Sequence, residues 1–485
     1  MIYMTENINA IKIMLNDMKY RYDIFLMVNL FFRFIEIDFV NEDWDLSINI
    51  EKDKLTIIGK DDVKNYIYNI NQEYKFSEEI KKGVFVYLKE KTNSILPWGT
   101  LVGIRPSKKA LDLLEKGYKE EDIINHFKEI HETSREKAQL CIDVAKYEKS
   151  IVNKKQNNIS IYVGMPFCPT RCVYCSFTAN PIGKSKSLVK DYISALSKEI
   201  DAISEYVKRK NLTIETVYFG GGTPTAVNNE EFEEVMSKIY NGFVKGKNIK
   251  EFTVECGRVD SITREKLESM KRYSVDRISI NPQTLNDKTL KLIGRNHNTD
   301  EVYRCFKTAR ELGFDNINMD LIVGLPGETL DDIKRSCEGI LKMNPDNLTI
   351  HGLSVKRGSK LYENMVNNIT HKVPEQGELN AMYEETKKLS EDLGMKPYYM
   401  YRQKNMVGNM ENVGYCRDEK ICIYNIQMIE EKQTIIALGA DGVSKVVFLE
   451  ENRLERFANV KDVKEYNNRI DEMIEKKLKL LETLY

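Results

Sequence analysis

From residue 159 onward the chain alternates short β-rich runs with helical ones, six times in succession. The strand candidates are "SIYVG" (160–164), "TVYFGGG" (216–222), "FTVEC" (252–256), "RISI" (277–280), "NINMDLI" (316–322) and "NLTIHGL" (347–353). Helical spacing fills 187–207, 229–243, 263–272, 299–312 and 329–343 between them. Successive parallel strands need a crossover, so repeated strand–helix units dictate a parallel sheet covered by helices. Six units fall short of a closed standard barrel, and an open, partial barrel is expected. Chemistry in such folds gathers at the C-terminal ends of the strands. The first three candidates end at a cysteine loop, at "GGGTP" and at Glu255.

The flanks read differently. Residues 1–152 form an expected small α+β domain. It has a hairpin over "SINIEKDKLTIIG" (47–59) and helices over 77–92 and 134–152, the latter capped by Thr133 or Ser134. "LPWGTLVGIRPSKKALDLLEKG" (96–117) is a loop running into a helix, and "NKKQNN" (153–158) is a polar linker. The barrel is expected over 159–360. Residues 361–485 make an α+β extension expected to cover the substrate, with a helix at 377–393, a strand at "QTIIALGA" (433–440) and a charged helix at 461–483.

The net charge of −1 gives no global attraction to nucleic acid or to an anionic membrane. The most apolar run, "IFLMVNLFF" (24–32), is shorter than the ~20 residues a membrane helix needs. The N-terminus lacks a charged-then-apolar signal pattern, so a cytoplasmic protein without a membrane span is expected.

Three of the nine cysteines, Cys168, Cys172 and Cys175, crowd into "GMPFCPTRCVYCSFTAN" (164–180) with C-x3-C-x2-C spacing. Structural zinc takes four protein ligands, and a cubane iron–sulfur cluster held by three thiolates keeps one iron open. Zinc with a remote fourth ligand, or a chance group of buried thiols, are the alternatives on spacing alone. The remaining cysteines read as packing residues or free thiols. His126, His131 and His371 read as surface residues, and His297 and His351 as candidates for the catalytic mouth.

This loop, with Tyr174 before its last cysteine, resembles the signature of the radical S-adenosylmethionine superfamily. The resemblance implies a [4Fe–4S] cluster on Cys168, Cys172 and Cys175, with S-adenosylmethionine on the open iron as the source of a 5′-deoxyadenosyl radical. "YFGGGTPT" (218–225), Glu255, "NPQTLNDKTLKLIGRNH" (281–297) and "NMDLIVGLPGET" (318–329) follow in the family's order. Residues 158–360 resemble the oxygen-independent coproporphyrinogen III oxidase family. That match implies cofactor contacts at Tyr162, Tyr174, Gly221, Gly222, Thr223, Glu255, Gln283, Arg295, Asp320, Ser354 and Val446, for one or two S-adenosylmethionine molecules. The outer motifs, 96–114 and "YYMYRQKNMVGNMENVGYC" (398–416), are similar to the HemZ-type coproporphyrinogen dehydrogenase branch.

The implied reaction is oxidative decarboxylation of two propionates of coproporphyrinogen III to vinyl groups, giving protoporphyrinogen IX. An external electron donor and acceptor are implied but not identified. The carboxylates of a tetrapyrrole call for cations, and the candidates are Arg402, Arg105, Lys404 and Lys445. Two departures keep a haem chaperone, a haem-modifying methyltransferase and a non-catalytic iron–sulfur protein in view. Phe177 stands where the oxidase has a fourth cysteine, and "CGRVD" follows the "VE" that ends at Glu255, where the oxidase pattern reads "VDP".

Overall fold

The computed structural model describes residues 10–32, 35–69, 75–176, 180–366, 373–403 and 406–485. Phe177, His371 and Lys404 lie outside the described residues. The chain divides into two compact units. One holds Met1–Lys146, Glu375–Asn380 and Arg402–Glu411, and the other Tyr147–Pro374, Ala381–Tyr401 and Asn412–Tyr485.

The first unit is α+β. Its five-stranded sheet is ordered Glu36–Phe39, Ala10–Leu15, Leu46–Ile50, Lys54–Ile58, Val63–Ile67. The hairpin expected at 47–59 is present, with Ser47 opposite Ile58. Strand Ala10–Leu15 buries alternate residues, as expected of a sheet with one covered face. Ile13, Ile48, Ile57, Ile80, Val84 and Phe85 share one core with helices Arg21–Phe31 and Phe76–Thr92. The apolar run at 24–32 therefore belongs to a globular core helix.

The two outer sequence motifs meet in this unit. The Trp98 indole donates to Glu411 at 2.6 Å, and Lys137 closes a buried ion pair with the same carboxylate at 2.8 Å. Gly99 has φ +55, and a Cβ there would fall 1.8 Å from the His131 carbonyl oxygen, so the "PWGT" turn requires glycine. His131 is buried rather than on the surface, and burial pushes its pKa down to about 3.

The second unit carries the barrel sheet. Six parallel strands lie side by side in chain order: Asn158–Met165, Thr213–Gly221, Glu251–Val254, Arg277–Ser279, Ile317–Val323 and Asn347–Gly352. We call them strands one to six. Each is nearly continuous in burial, as in a parallel sheet covered on both faces; in strand five every residue but the half-buried Asp320 is buried. Helices Ile182–Arg209, Asn229–Ile239, Arg264–Arg272, Thr299–Glu311 and Leu330–Met343 make the crossovers.

The C-terminal segment extends this sheet at both edges instead of forming a separate layer. Thr434–Leu438 pairs parallel with strand one, followed by antiparallel Val443–Phe448 and Arg453–Ala458. Asn412–Cys416 pairs antiparallel with strand six, and Lys396–Tyr401 lies outside it. The architecture is thus a partial (β/α)6 barrel with a small N-terminal α+β domain and a C-terminal α+β extension. The expected helix at 461–483 is two helices, Val463–Asn468 and Ile470–Leu481.

Helix Ile423–Glu430 closes the N-terminal end of the barrel. Glu251, the first residue of strand three, accepts from the Ile423 amide at 2.5 Å, and Gln427 donates to Glu215 near the start of strand two. Tyr424 projects from this helix and stacks on Tyr218 at 4.4 Å. The cysteine loop, which follows Met165, lies at the opposite end of the strands.

Candidate active site

The cysteine loop leaves strand one at Met165 and is pinned to its surroundings by main-chain bonds. The Val173 amide donates to the Ile293 carbonyl at 3.1 Å, and the Leu361 amide to the Val173 carbonyl at 2.8 Å. The Thr170 hydroxyl donates to the Gly294 carbonyl at 2.7 Å. Cys168 and Cys172 are buried, Cys175 is half-buried, and all nine cysteines are free of disulfides. Burial pushes the Cys168 thiol up to about 11, so that sulfur keeps its proton until a metal displaces it.

The glycine motif fits against this loop without spare room. The Gly222 amide donates to the Met165 carbonyl at 2.7 Å and the Thr223 amide to the Phe167 carbonyl at 2.8 Å. A Cβ on Gly222 would lie 2.6 Å from the Phe167 carbonyl oxygen and 3.1 Å from the Cys168 sulfur. Gly221 has φ +102 and faces the Tyr162 hydroxyl. The Thr223 hydroxyl donates to the Cys168 sulfur at 3.3 Å. Thr223, expected as a cosubstrate contact, is here a partner of a thiol.

Glu255 stands one residue beyond strand three, and three donors fix its carboxylate. These are the Tyr218 and Ser279 hydroxyls and the Asn281 amide, the last at 2.8 Å. Further round the mouth, Gln283 has φ +68 and exchanges main-chain bonds with strand five, from its amide to the Asp320 carbonyl and from the Ile322 amide to its own. Asp320 accepts from Asn318 at 2.7 Å and lies 3.4 Å from the His351 ring at the end of strand six. Burial opposes a charge on His351, but Asp320 outweighs it and raises the imidazole pKa. Arg295 is buried and donates to the Asn281 and Gly257 carbonyls and to the Tyr174 hydroxyl, at 2.8, 3.3 and 3.2 Å. Ser354 follows strand six on the same side. Strand ends therefore bring Tyr162, Tyr174, Gly221–Thr223, Glu255, Gln283, Arg295, Asp320 and Ser354 to the end of the sheet that carries the cysteines.

Two expected residues, Val446 and Lys445, sit elsewhere on the sheet, and two, Arg402 and Arg105, belong to the first unit. Val446 is fully buried on a strand that runs antiparallel away from the mouth; its neighbour Lys445 pairs with Ile435, which lies opposite Ser160 low in strand one. The turn Gly439–Gly442, not Val446, is what that edge presents at the mouth. Lys445 donates to the Met428 carbonyl and Glu431 at 3.0 and 3.1 Å, capping the end of helix Ile423–Glu430. Arg402 belongs to the first unit, where it lies buried over the Trp98 ring at 4.8 Å and donates to the Leu101, Asn409 and Met410 carbonyls. These bonds make Arg402 a clasp between the two outer motifs. Arg105, half-buried, belongs to the same unit.

Sequence reasoning missed Arg258, the arginine of "CGRVD". Its guanidinium is buried and contacts the Cys172 sulfur at 3.4 Å. The two residues are 86 positions apart, and only the unusual segment after Glu255 hinted at a special role.

The donor set fits a cluster. Among the described residues, no three His, Cys, Asp or Glu side chains converge on a single ion. A cubane needs something else: three thiolates spread over separate iron corners, on a loop whose neighbours offer donors to sulfur and exposed main chain. Gly222, where a Cβ would crowd the Cys168 sulfur, and the Thr223 and Arg258 bonds to sulfur meet that need.

Comparison with known proteins agrees. Residues 162–339 match the Radical SAM superfamily. The chain is 37% identical over 438 residues to the oxygen-independent coproporphyrinogen-III oxidase-like protein HemZ of Bacillus subtilis, covering 89% of this chain and 87% of that protein. It is 33% identical over 239 residues to the heme chaperone HemW of the same organism, covering 49% of this chain and 62% of the chaperone. Among solved structures, coproporphyrinogen III oxidase (HemN) of Escherichia coli, a radical SAM enzyme, superposes with a TM-score of 0.52 at 18% identity, over 68% of this chain and 72% of that one. At that identity the likeness is one of fold.

Proposed function

Because the chain belongs to the radical SAM family of oxygen-independent coproporphyrinogen-III oxidase-like proteins, with its [4Fe–4S] cluster and S-adenosylmethionine, we propose that it converts two propionates of coproporphyrinogen III to vinyl groups. The supporting observation is the mouth itself: the cysteine loop, the tight glycine motif and the clamped Glu255 share one end of the sheet. Similarity to HemZ then extends through both flanks of the barrel.

In this reading Cys168, Cys172 and Cys175 hold the cluster. Gly221, Gly222 and Glu255 receive the methionyl end of S-adenosylmethionine, with Tyr162, Tyr174, Gln283, Arg295, Asp320 and Ser354 around it. When bound, the pair supplies hydrogen-atom abstraction driven by one-electron reduction. The protein's own work is placement. Main-chain bonds tie the loop to Ile293, Leu361 and the glycine motif, and three donors hold the Glu255 carboxylate in place to meet the methionyl amino group. Helix Ile423–Glu430 bars water from the N-terminal end. His351 lies 3.4 Å from Asp320, whose charge raises the imidazole pKa against the effect of burial and so favours a cation that a propionate could meet. Each propionate gives up a β-hydrogen, carbon dioxide and one electron to become a vinyl group, and that electron passes to an external acceptor.

The similarity to the heme chaperone HemW over 239 residues favours a second reading, haem delivery. Cluster-reconstituted full-length protein, incubated without oxygen with coproporphyrinogen III, S-adenosylmethionine and reductant, separates the two by mass spectrometry. Protoporphyrinogen IX together with 5′-deoxyadenosine is the expected result. Stable haem binding without any vinyl product would select the chaperone, and methyl transfer with ring opening would select a methyltransferase.

A further inference from the structure

Arg258 is a buried cation that the placement of cofactors does not explain. It leaves 3% of its surface exposed. Its guanidinium has two sides with opposite partners. Toward the cysteine loop, Nη1 donates to the Cys172 sulfur at 3.4 Å and to the Thr170 carbonyl at 3.3 Å, and Nη2 to the Thr170 hydroxyl at 3.0 Å. Away from it, Nε and Nη2 grip Asp260 bidentately at 2.9 and 2.6 Å. Asp260 is itself 88% withdrawn from solvent at its side chain, which is 12% exposed. The positive group is thus the one in contact with sulfur, and its counter-charge lies behind it.

A reduced cluster carries one more negative charge than an oxidised one, spread over its irons and sulfurs. A nearby cation, and an N–H aimed at a ligand sulfur, favour the reduced form and raise the reduction potential. A carboxylate behind that cation damps the effect. We propose that Arg258 and Asp260 together set the reduction potential of the cluster, the arginine raising it through Cys172 and the aspartate restraining it. One electron enters from an external donor, and no bond is made or broken. The inference rests on Cys172 being a cluster ligand; it does not depend on which tetrapyrrole reaction follows. Arg258 is a positioning and tuning residue, since it acts through Cys172.

The test is a dithionite titration of reconstituted full-length protein with redox mediators, followed by electron paramagnetic resonance without S-adenosylmethionine or substrate. Arg258→Gln removes the charge and should lower the reduced-to-oxidised ratio at a fixed potential about tenfold, ~59 mV for a one-electron couple. Asp260→Asn removes the restraint and should move the midpoint the opposite way. Arg258→Lys keeps the charge and should recover most of the wild-type value. A purely structural clamp predicts no such opposition. Arg258→Gln with full iron and an unchanged midpoint, or both charge variants shifting in the same direction, overturns the proposal. Where Arg258→Gln fails to hold iron, Asp260→Asn and Arg258→Lys decide. Retention of a full cluster by Cys172→Ala would instead locate the error in the ligand assignment.

Discussion

Replacing Gly222 by alanine adds one methyl group at the tightest point between the glycine motif and the cysteine loop. That carbon would lie 2.6 Å from the Phe167 carbonyl oxygen, 2.8 Å from the Met165 carbonyl oxygen and 3.1 Å from the Cys168 sulfur, where ordinary contact begins at 3.4 Å. The two oxygens are main chain and cannot swing aside. Relief requires strand two and the loop to part by about 0.8 Å (3.4 less 2.6). The amide bonds from Gly222 to Met165 and from Thr223 to Phe167 would loosen with them. Overpacking of this size costs ~1–3 kcal/mol, which a domain with so large a core survives. A ligand displaced by a sizeable fraction of an ångström is another matter, since cluster assembly needs all three sulfurs in place. Gly222→Ala should keep the wild-type far-ultraviolet circular dichroism and lose most of its iron and sulfide, measured per chain after anaerobic reconstitution. Gly183→Ala is the control. No atom lies within 4 Å of a Cβ built there, it sits in the first turn of helix Ile182–Arg209, and alanine there should leave both stability and iron content close to wild type. Full loading of Gly222→Ala would refute the claim that close approach of the main chain at Gly222 is needed to seat Cys168.

Glu328 is buried with one oxygen bonded to the Thr284 hydroxyl, and burial pushes its pKa up from 4.5 to about 7. Between those values the native chain holds a proton that the unfolded chain has released, so stability falls as pH rises through the window, by roughly 3 kcal/mol. Urea melts of wild type against Glu328→Gln at pH 5 and pH 8 should show the variant gaining relative stability at the higher pH. Lys477 and Glu199 form a fully buried ion pair, and Glu199 also accepts from the Gly439 amide and the Tyr466 hydroxyl at 2.8 and 2.6 Å. Lys477→Met should cost ~3–5 kcal/mol in urea melts by stranding that carboxylate, and Glu199→Gln in the same chain should restore part of it. Glu255→Gln should leave iron content intact and weaken S-adenosylmethionine binding by equilibrium dialysis about tenfold or more, ~1.4 kcal/mol.

The barrel was legible because each of its strands is a short apolar run, buried on both faces, between amphipathic helices; such a pattern has few other homes. The edge strands were not. Lys396–Tyr401 shows no alternation that marks a strand, and what makes it one is pairing with Asn412–Cys416, a partner that periodicity within "YYMY" does not reveal. Arg402 shows the same limit in a side chain. A guanidinium suits a substrate carboxylate and a row of carbonyl oxygens equally well, and the carbonyls come from a loop at Leu101, 301 positions away in sequence. Val446 was misplaced because the turn after Leu438 reverses the chain, so a residue close in sequence to the mouth ends far down the sheet. Among the mouth residues, Glu255 was legible by position, while the three donors that fix it come from strands two and four and the loop beyond.

The account rests on an iron corner that three cysteines leave for a sulfonium cosubstrate. Electron paramagnetic resonance of the dithionite-reduced, reconstituted protein, recorded with and without S-adenosylmethionine, tests this directly. The account predicts the signal of a reduced cubane whose g-values shift when S-adenosylmethionine is added. A protein that assembles no such cluster, or one whose spectrum is indifferent to the addition, would contradict it.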